Sequence, residues 1–111
     1  MQISFPKRRL QRTCESHRAL QKEHGASCAK KISARLADLE AAGSLEVLRY
    51  LPGGCHELDG NLDGHLALNL PDGKRLIFKP SAEPAPTKED GGLDWTAVDA
   101  VEVLEIVDYH R

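Results

Sequence analysis

The chain has 111 residues, 41% of them hydrophobic, and a formal net charge of -2. That is enough apolar material for one modest core and too little for two, so a single domain over residues 1–111 is expected. Residues 1–36 hold nine Lys/Arg against two Asp/Glu, and residues 37–111 hold six against fifteen. A basic first third suits a polyanion or an acidic partner, and equally a solvated helical face. The three cysteines, Cys14, Cys28 and Cys55, form no CxxC and argue against a disulfide framework. The start, MQISFPKRR, sets its apolar residues ahead of its charges and contains no long apolar run. Neither a secretory leader nor a membrane span is expected, and a cytoplasmic chain is the reading that follows.

Residues 1–5 read as a short strand. Pro6 then opens a basic segment with Leu10, Cys14, His17 and Leu20 at helical spacing, predicting a first helix that ends near Gly25. From Ser27, a candidate N-cap, Ala29, Ile32, Leu36 and Leu39 repeat at three and four until Gly43, predicting a second helix and a helical hairpin. Between Gly43 and Gly64 glycines and Pro52 interrupt any long element. Leu45, Leu48 and Leu51 are expected beneath the core there, with His56-Glu57-Leu58 short and extended.

Leu66, Leu68 and Leu70 alternate with His65, Ala67 and Asn69, the pattern of a half-buried strand. Leu76 and Phe78 alternate with Arg75, Ile77 and Lys79 in the next strand. Pairing the apolar faces predicts Leu70 opposite Leu76 and Leu68 opposite Phe78, across a turn at Asp72-Gly73-Lys74. A long loop over residues 80–96 precedes a Val101–Val107 strand that is apolar on both faces and therefore central or well covered. The fold class expected is α+β: an N-terminal strand, a two-helix hairpin, then a small antiparallel sheet.

Cys14, His17, His24 and Cys28 have a superficial metal-ligand spacing. On one helix Cys14 and Cys28 would stand about 21 Å apart at a rise of ~1.5 Å per residue, too far for one zinc, so no metal is expected. GGCHELDGNLDG lacks the Lys-Ser/Thr and the strand-to-helix setting of a phosphate loop. The chemistry-bearing residues are His56, Arg75 and the terminal Asp108-Tyr109-His110. Histidine moves protons near neutrality, a guanidinium clamps phosphate, and tyrosine stacks on an unpaired base. Each alone has a bland reading, as a loop residue, a solvated strand charge or a tail; together they suit phosphodiester cleavage.

In order, His56-x-Leu58-x-Gly60, the strand Leu66-Ala67-Leu68, then Arg75-Leu76-Ile77-Phe78 and a final Val107-Asp108-Tyr109-His110 follow a basic helical hairpin. Over nearly the whole chain this pattern resembles HigB-like toxins of the RelE/ParE superfamily, as does Lys88-Glu89-Asp90-Gly91-Gly92-Leu93-Asp94-Trp95. The resemblance implies a ribosome-dependent endoribonuclease that cuts messenger RNA without a metal or other cofactor. It also implies silencing by a helix-turn-helix (HigA-like) antitoxin, through which alone operator DNA would be contacted. On that reading the RNA 2'-hydroxyl attacks the adjacent phosphate. His56 and His110 are candidates for acid and base, Asp108 orients or charges the histidine, Arg75 holds the developing charge, and Tyr109 packs on a base or donates a hydrogen bond. Lys7, Arg8, Arg9, Arg12, Lys74 and Lys79 would contact RNA. Gly60-Asn61-Leu62-Asp63-Gly64 departs from the family pattern by lacking a basic residue, and Leu66 stands where an aromatic is common. A gyrase-poisoning ParE-like toxin without catalysis, and an inactive antitoxin-binding homologue, are the alternatives.

Overall fold

In the computed structural model, which describes residues 1–108, the alternating leucines and the Leu76/Phe78 pair form the middle of a five-stranded sheet. In chain order the elements are β1 (Gln2–Ser4), α1 (Arg8–Cys14), α2 (His17–His24), α3 (Ala26–Ala41), β2 (His56–Glu57), β3 (Leu66–Asn69), β4 (Lys74–Pro80) and β5 (Ala100–Asp108). The sheet order is β1-β5-β4-β3-β2. The expected α+β class is present, with two corrections to its parts. The sheet is mixed, because β1 runs parallel to β5 while every other pair is antiparallel. Among the described residues the α-helices are three, so the predicted two-helix hairpin is replaced by a broken first helix and a long third.

The break falls at Ser16. Its backbone is extended (φ -122°) and its Oγ accepts the Ala19 N–H at 3.1 Å, capping α2. A serine there offers the chain an N-cap in place of a continuous helix, a competition that periodicity alone does not reveal. Leu20 is fully buried, Leu10 and Cys14 pack partly against the core, and His17 is exposed. The N-cap of α3 is Gly25, whose φ of +84° suits glycine, so Ser27 lies inside the helix instead of capping it. It buries Cys28, Ala29, Ile32 and Leu39. Leu45 and Leu48 are buried as expected, the former donating its N–H to Val98 O at 2.9 Å.

The β3–β4 hairpin is slipped by two residues from the predicted register: Leu68 faces Leu76 and Leu66 faces Phe78. An even slip keeps every side chain on its expected face. The cause is the loop Pro71-Asp72-Gly73, closed by the Leu70 N–H on Lys74 O at 2.9 Å, with Asp72 and Gly73 at φ +61° and +73°. Pro71 has no N–H for a ladder and pushes the turn one residue earlier than Asp72.

Along β5 the pairing shifts between Ile77 and Phe78: Phe78 faces Val103 but Ile77 faces Glu105. Leu104 is thus an extra residue, a β-bulge. Val101, Val103 and Ile106 look toward the helices, whereas Glu102, Glu105 and Val107 look away, sorting a strand that seemed apolar on both sides. The main core lies between helices and sheet, around Phe78, Ile32, Leu39, Leu68 and Trp95. Ala67 (0%) and Ile77 (1%) are buried on the opposite face, outside that cluster. Among the described residues no helix is long and apolar enough to cross a membrane.

Phe78→Ala is expected to cost about 3–5 kcal/mol through the cavity it leaves. Ser16→Ala should cost about 1 kcal/mol through the lost cap. Urea unfolding checks both; an unchanged midpoint for Phe78→Ala would refute this account of the core.

Candidate functional site

Residues paired across neighbouring antiparallel strands share a face. His56 pairs with Ala67, Ala67 with Ile77, and Arg75 with Asn69 and Val107. His56, Arg75 and Lys79 therefore stand on the sheet face turned away from the helices. With strands about 4.8 Å apart and a rise of about 3.3 Å per residue, the Cα atoms of His56 and Arg75 are roughly 12 Å apart. That span lies within the combined reach of a histidine and an arginine closing on one phosphate. Between them lie Ala67 and Ile77, which are themselves 0% and 1% exposed, so this face is covered at its middle.

His56 is half-buried and its Nδ1 lies 2.8 Å from Gly54 O. A carbonyl only accepts, so Nδ1 carries the proton and the neutral ring presents Nε2 as its basic nitrogen. The strand that carries this ring is only two residues long and is held from the other side. Glu57, pointing toward the helices, accepts the Trp95 Nε1–H at 3.0 Å. The Arg49 guanidinium stacks 3.9 Å over the Trp95 ring, and its Nε donates to Glu46 at 2.8 Å. Sequence reading missed Arg49, Glu57 and Trp95 as one unit, since 38 residues separate Glu57 from its indole partner.

Lys79 stands opposite Glu102 and pairs with it at 3.7 Å, which offsets its charge on that face. Asp108 pairs with Lys74, whose parity matches Leu76 and Phe78, so both lie on the helix side of the sheet. Asp108 and Arg75 are thus neighbours across the ladder but on opposite faces. Tyr109 and His110 lie outside the described residues. Lys7, Arg8, Arg9 and Arg12 are exposed. Lys7 and Arg9 line a groove of about 210 Å³ with Leu104 and Ile106. β5 lies beside β1, at the opposite side of the sheet from His56. The predicted RNA contacts on α1 and the histidine are therefore not brought together.

Burial and the Lys74 charge lower the His24 pKa, keeping that ring neutral at pH 7. Burial, then Glu23 and Glu15, pushes the Cys14 thiol up to about 11. Burial pushes Cys55 up to about 12, with Glu57 adding to the rise and Arg49 opposing it. Neither is a nucleophile at neutral pH. Among the described residues no three His, Cys, Asp or Glu side chains converge as a metal site. A further groove, of about 340 Å³, is lined by Lys31, Arg35, Gly53, Gly54, Asn69, Leu70 and Pro71. No protein-family model, curated protein or solved structure matches the chain.

Cys14 and Cys55 should resist a disulfide-exchange reagent at pH 8 in the folded protein and react fully once it is denatured. Their raised values favour the folded state below pH 9.0, and that contribution is lost as pH rises toward 11 and 12. Rapid modification of either thiol in the native protein would contradict the burial described.

Proposed function

We propose that this protein is a toxin of the RelE/ParE type, HigB-like, that cleaves messenger RNA by acid/base chemistry in which the RNA supplies its own nucleophile. The observation that carries the reading is the shared sheet face turned away from the helices, where His56 has its Nδ1 on the Gly54 carbonyl and Arg75 stands two strands away. One group can move the proton of a 2'-hydroxyl and the other can hold the charge that develops on the phosphate. The α+β class, with helices packed on a five-stranded sheet, is compatible with this reading. His110 would supply the second proton transfer and Tyr109 a base contact, both implied by the resemblance. Asp108 would orient or charge the histidine, also as the resemblance implies. The helix-turn-helix antitoxin and the translating ribosome are the partners that this reading entails.

A second reading is favoured by the placement of the basic residues of α1 at the opposite side of the sheet from His56: a toxin-like module that binds its antitoxin, or DNA gyrase, without cleaving RNA. The two differ in what a cell shows on expression. Cleavage of a translated message should fall at least a hundredfold in Arg75→Ala, His56→Ala and His110→Ala proteins that stay folded, as expected for loss of acid/base or charge-stabilising groups. Primer extension on cellular messages reads this directly. Intact messages on expression of the unmutated chain, with replication arrested, would replace the ribonuclease reading with the gyrase one.

A further inference from the structure

We propose that the groove between α3 and the Gly53-Gly54 turn is a phosphate-binding site, separate from the His56–Arg75 face and independent of whether that face cleaves RNA. Two cations, Lys31 and Arg35, line it and no acidic residue does. They stand four residues apart on α3 and so share one side of the helix. The Arg35 side chain is only 12% exposed; its Nε lies 3.3 Å from Asp38 Oδ2, a charge contact without hydrogen-bond geometry. Its remaining guanidinium nitrogens donate to no acceptor among the described residues. Neither do the Gly53 and Gly54 amides, nor the Asn69 side-chain amide, although Gly53 O accepts the Asn69 N–H at 2.7 Å.

The groove thus collects unspent donors around two positive charges. Its walls are also packed too closely for side chains to fill it. A Cβ on Gly54 would sit 2.8 Å from Asn69 Nδ2, and one on Gly53 would sit 3.0 Å from Arg35 Cδ. Both glycines have positive φ, +112° and +56°. Backbone N–H groups can approach a ligand only where no Cβ intervenes. A guanidinium fork, an ammonium and a set of amides form the donor set that binds a tetrahedral oxyanion. A carboxylate would satisfy one cation and two donors; a phosphate, with more oxygens and up to two charges, matches the whole set. The groove opens beside β3 beyond the end of β2, and Asn69 on its rim pairs with Arg75. The phosphate can therefore be a free one, or one within a nucleic-acid strand that also reaches Arg75.

The test is an amide chemical-shift titration of the whole chain, first with inorganic phosphate and then with a short RNA that carries only internal phosphodiesters. Inorganic phosphate is expected to shift Lys31, Gly53, Gly54 and Asn69 together. Lys31→Gln, a fully surface change, and Arg35→Lys, which keeps the charge but loses the fork, should each weaken that binding about fivefold or more. Shifts of the same four amides with the RNA would identify the source as a strand phosphate; shifts with inorganic phosphate alone would identify a free one. If neither probe moves these amides, or Lys31→Gln binds as tightly as the unmutated chain, the assignment is wrong. Arg75→Ala should leave the groove titration with inorganic phosphate unchanged, which separates this outcome from failure of the ribonuclease reading.

Discussion

Strand β4 has to serve two surfaces at once, and most of the molecule follows from that obligation. Lying between β3 and β5, it sends Leu76 and Phe78 into the main core and Arg75, Ile77 and Lys79 to the other side. Burial of Phe78 among Ile32, Leu39 and Leu68 sets its rotation, because apolar area removed from water outweighs any single surface interaction. Once Phe78 is inside, Arg75 and Lys79 have no choice of face. The candidate chemistry is thus placed by packing that has nothing to do with chemistry.

The histidine is placed by a different and more local device. A two-residue strand at a sheet edge gains little from its ladder, and β2 is held by the Trp95 indole on Glu57 and by the Gly54 carbonyl on His56. Trp95 comes from the long loop before β5 and contributes both apolar burial and one hydrogen bond at 3.0 Å. The ring of His56 is therefore oriented from both sides of the sheet, with its tautomer set by a backbone carbonyl. The arrangement couples a site on one edge to the loop that joins β4 to β5.

Much of this was legible in the chain because it rests on period and on turn residues. The alternation at residues 66–70 and 75–79 assigned faces correctly even though the pairing was off by two, since face depends only on parity. The Leu45 and Leu48 burial followed from an apolar run trapped between glycines. Ser16 was not legible as a helix break: one cap residue inside an amphipathic pattern shifts the balance by only about 1 kcal/mol, too little to mark the periodicity. The parallel β1–β5 pairing joins residues about a hundred positions apart in sequence, beyond any local signal. The donors around Gly53 and Asn69 were invisible for the same reason, because they converge only when α3, the turn and β3 are assembled. The terminal triplet carried the resemblance, yet only Asp108 of the three falls within the described residues, on the side of the sheet away from Arg75.

The extra residue in β5 has an implication for how this protein can change. Upstream of Leu104 the strand keeps one phase against β4, and downstream it keeps the other. Glu102 and Glu105 share the outer face only because their spacing of three is made even by the bulge. Replacing any of these side chains alters one contact, whereas inserting or removing a codon elsewhere in the strand would exchange inside for outside along a whole segment. Over evolutionary time β5 is thus free to vary its letters but held to a constant count, a restraint that an inventory of its contacts would not disclose.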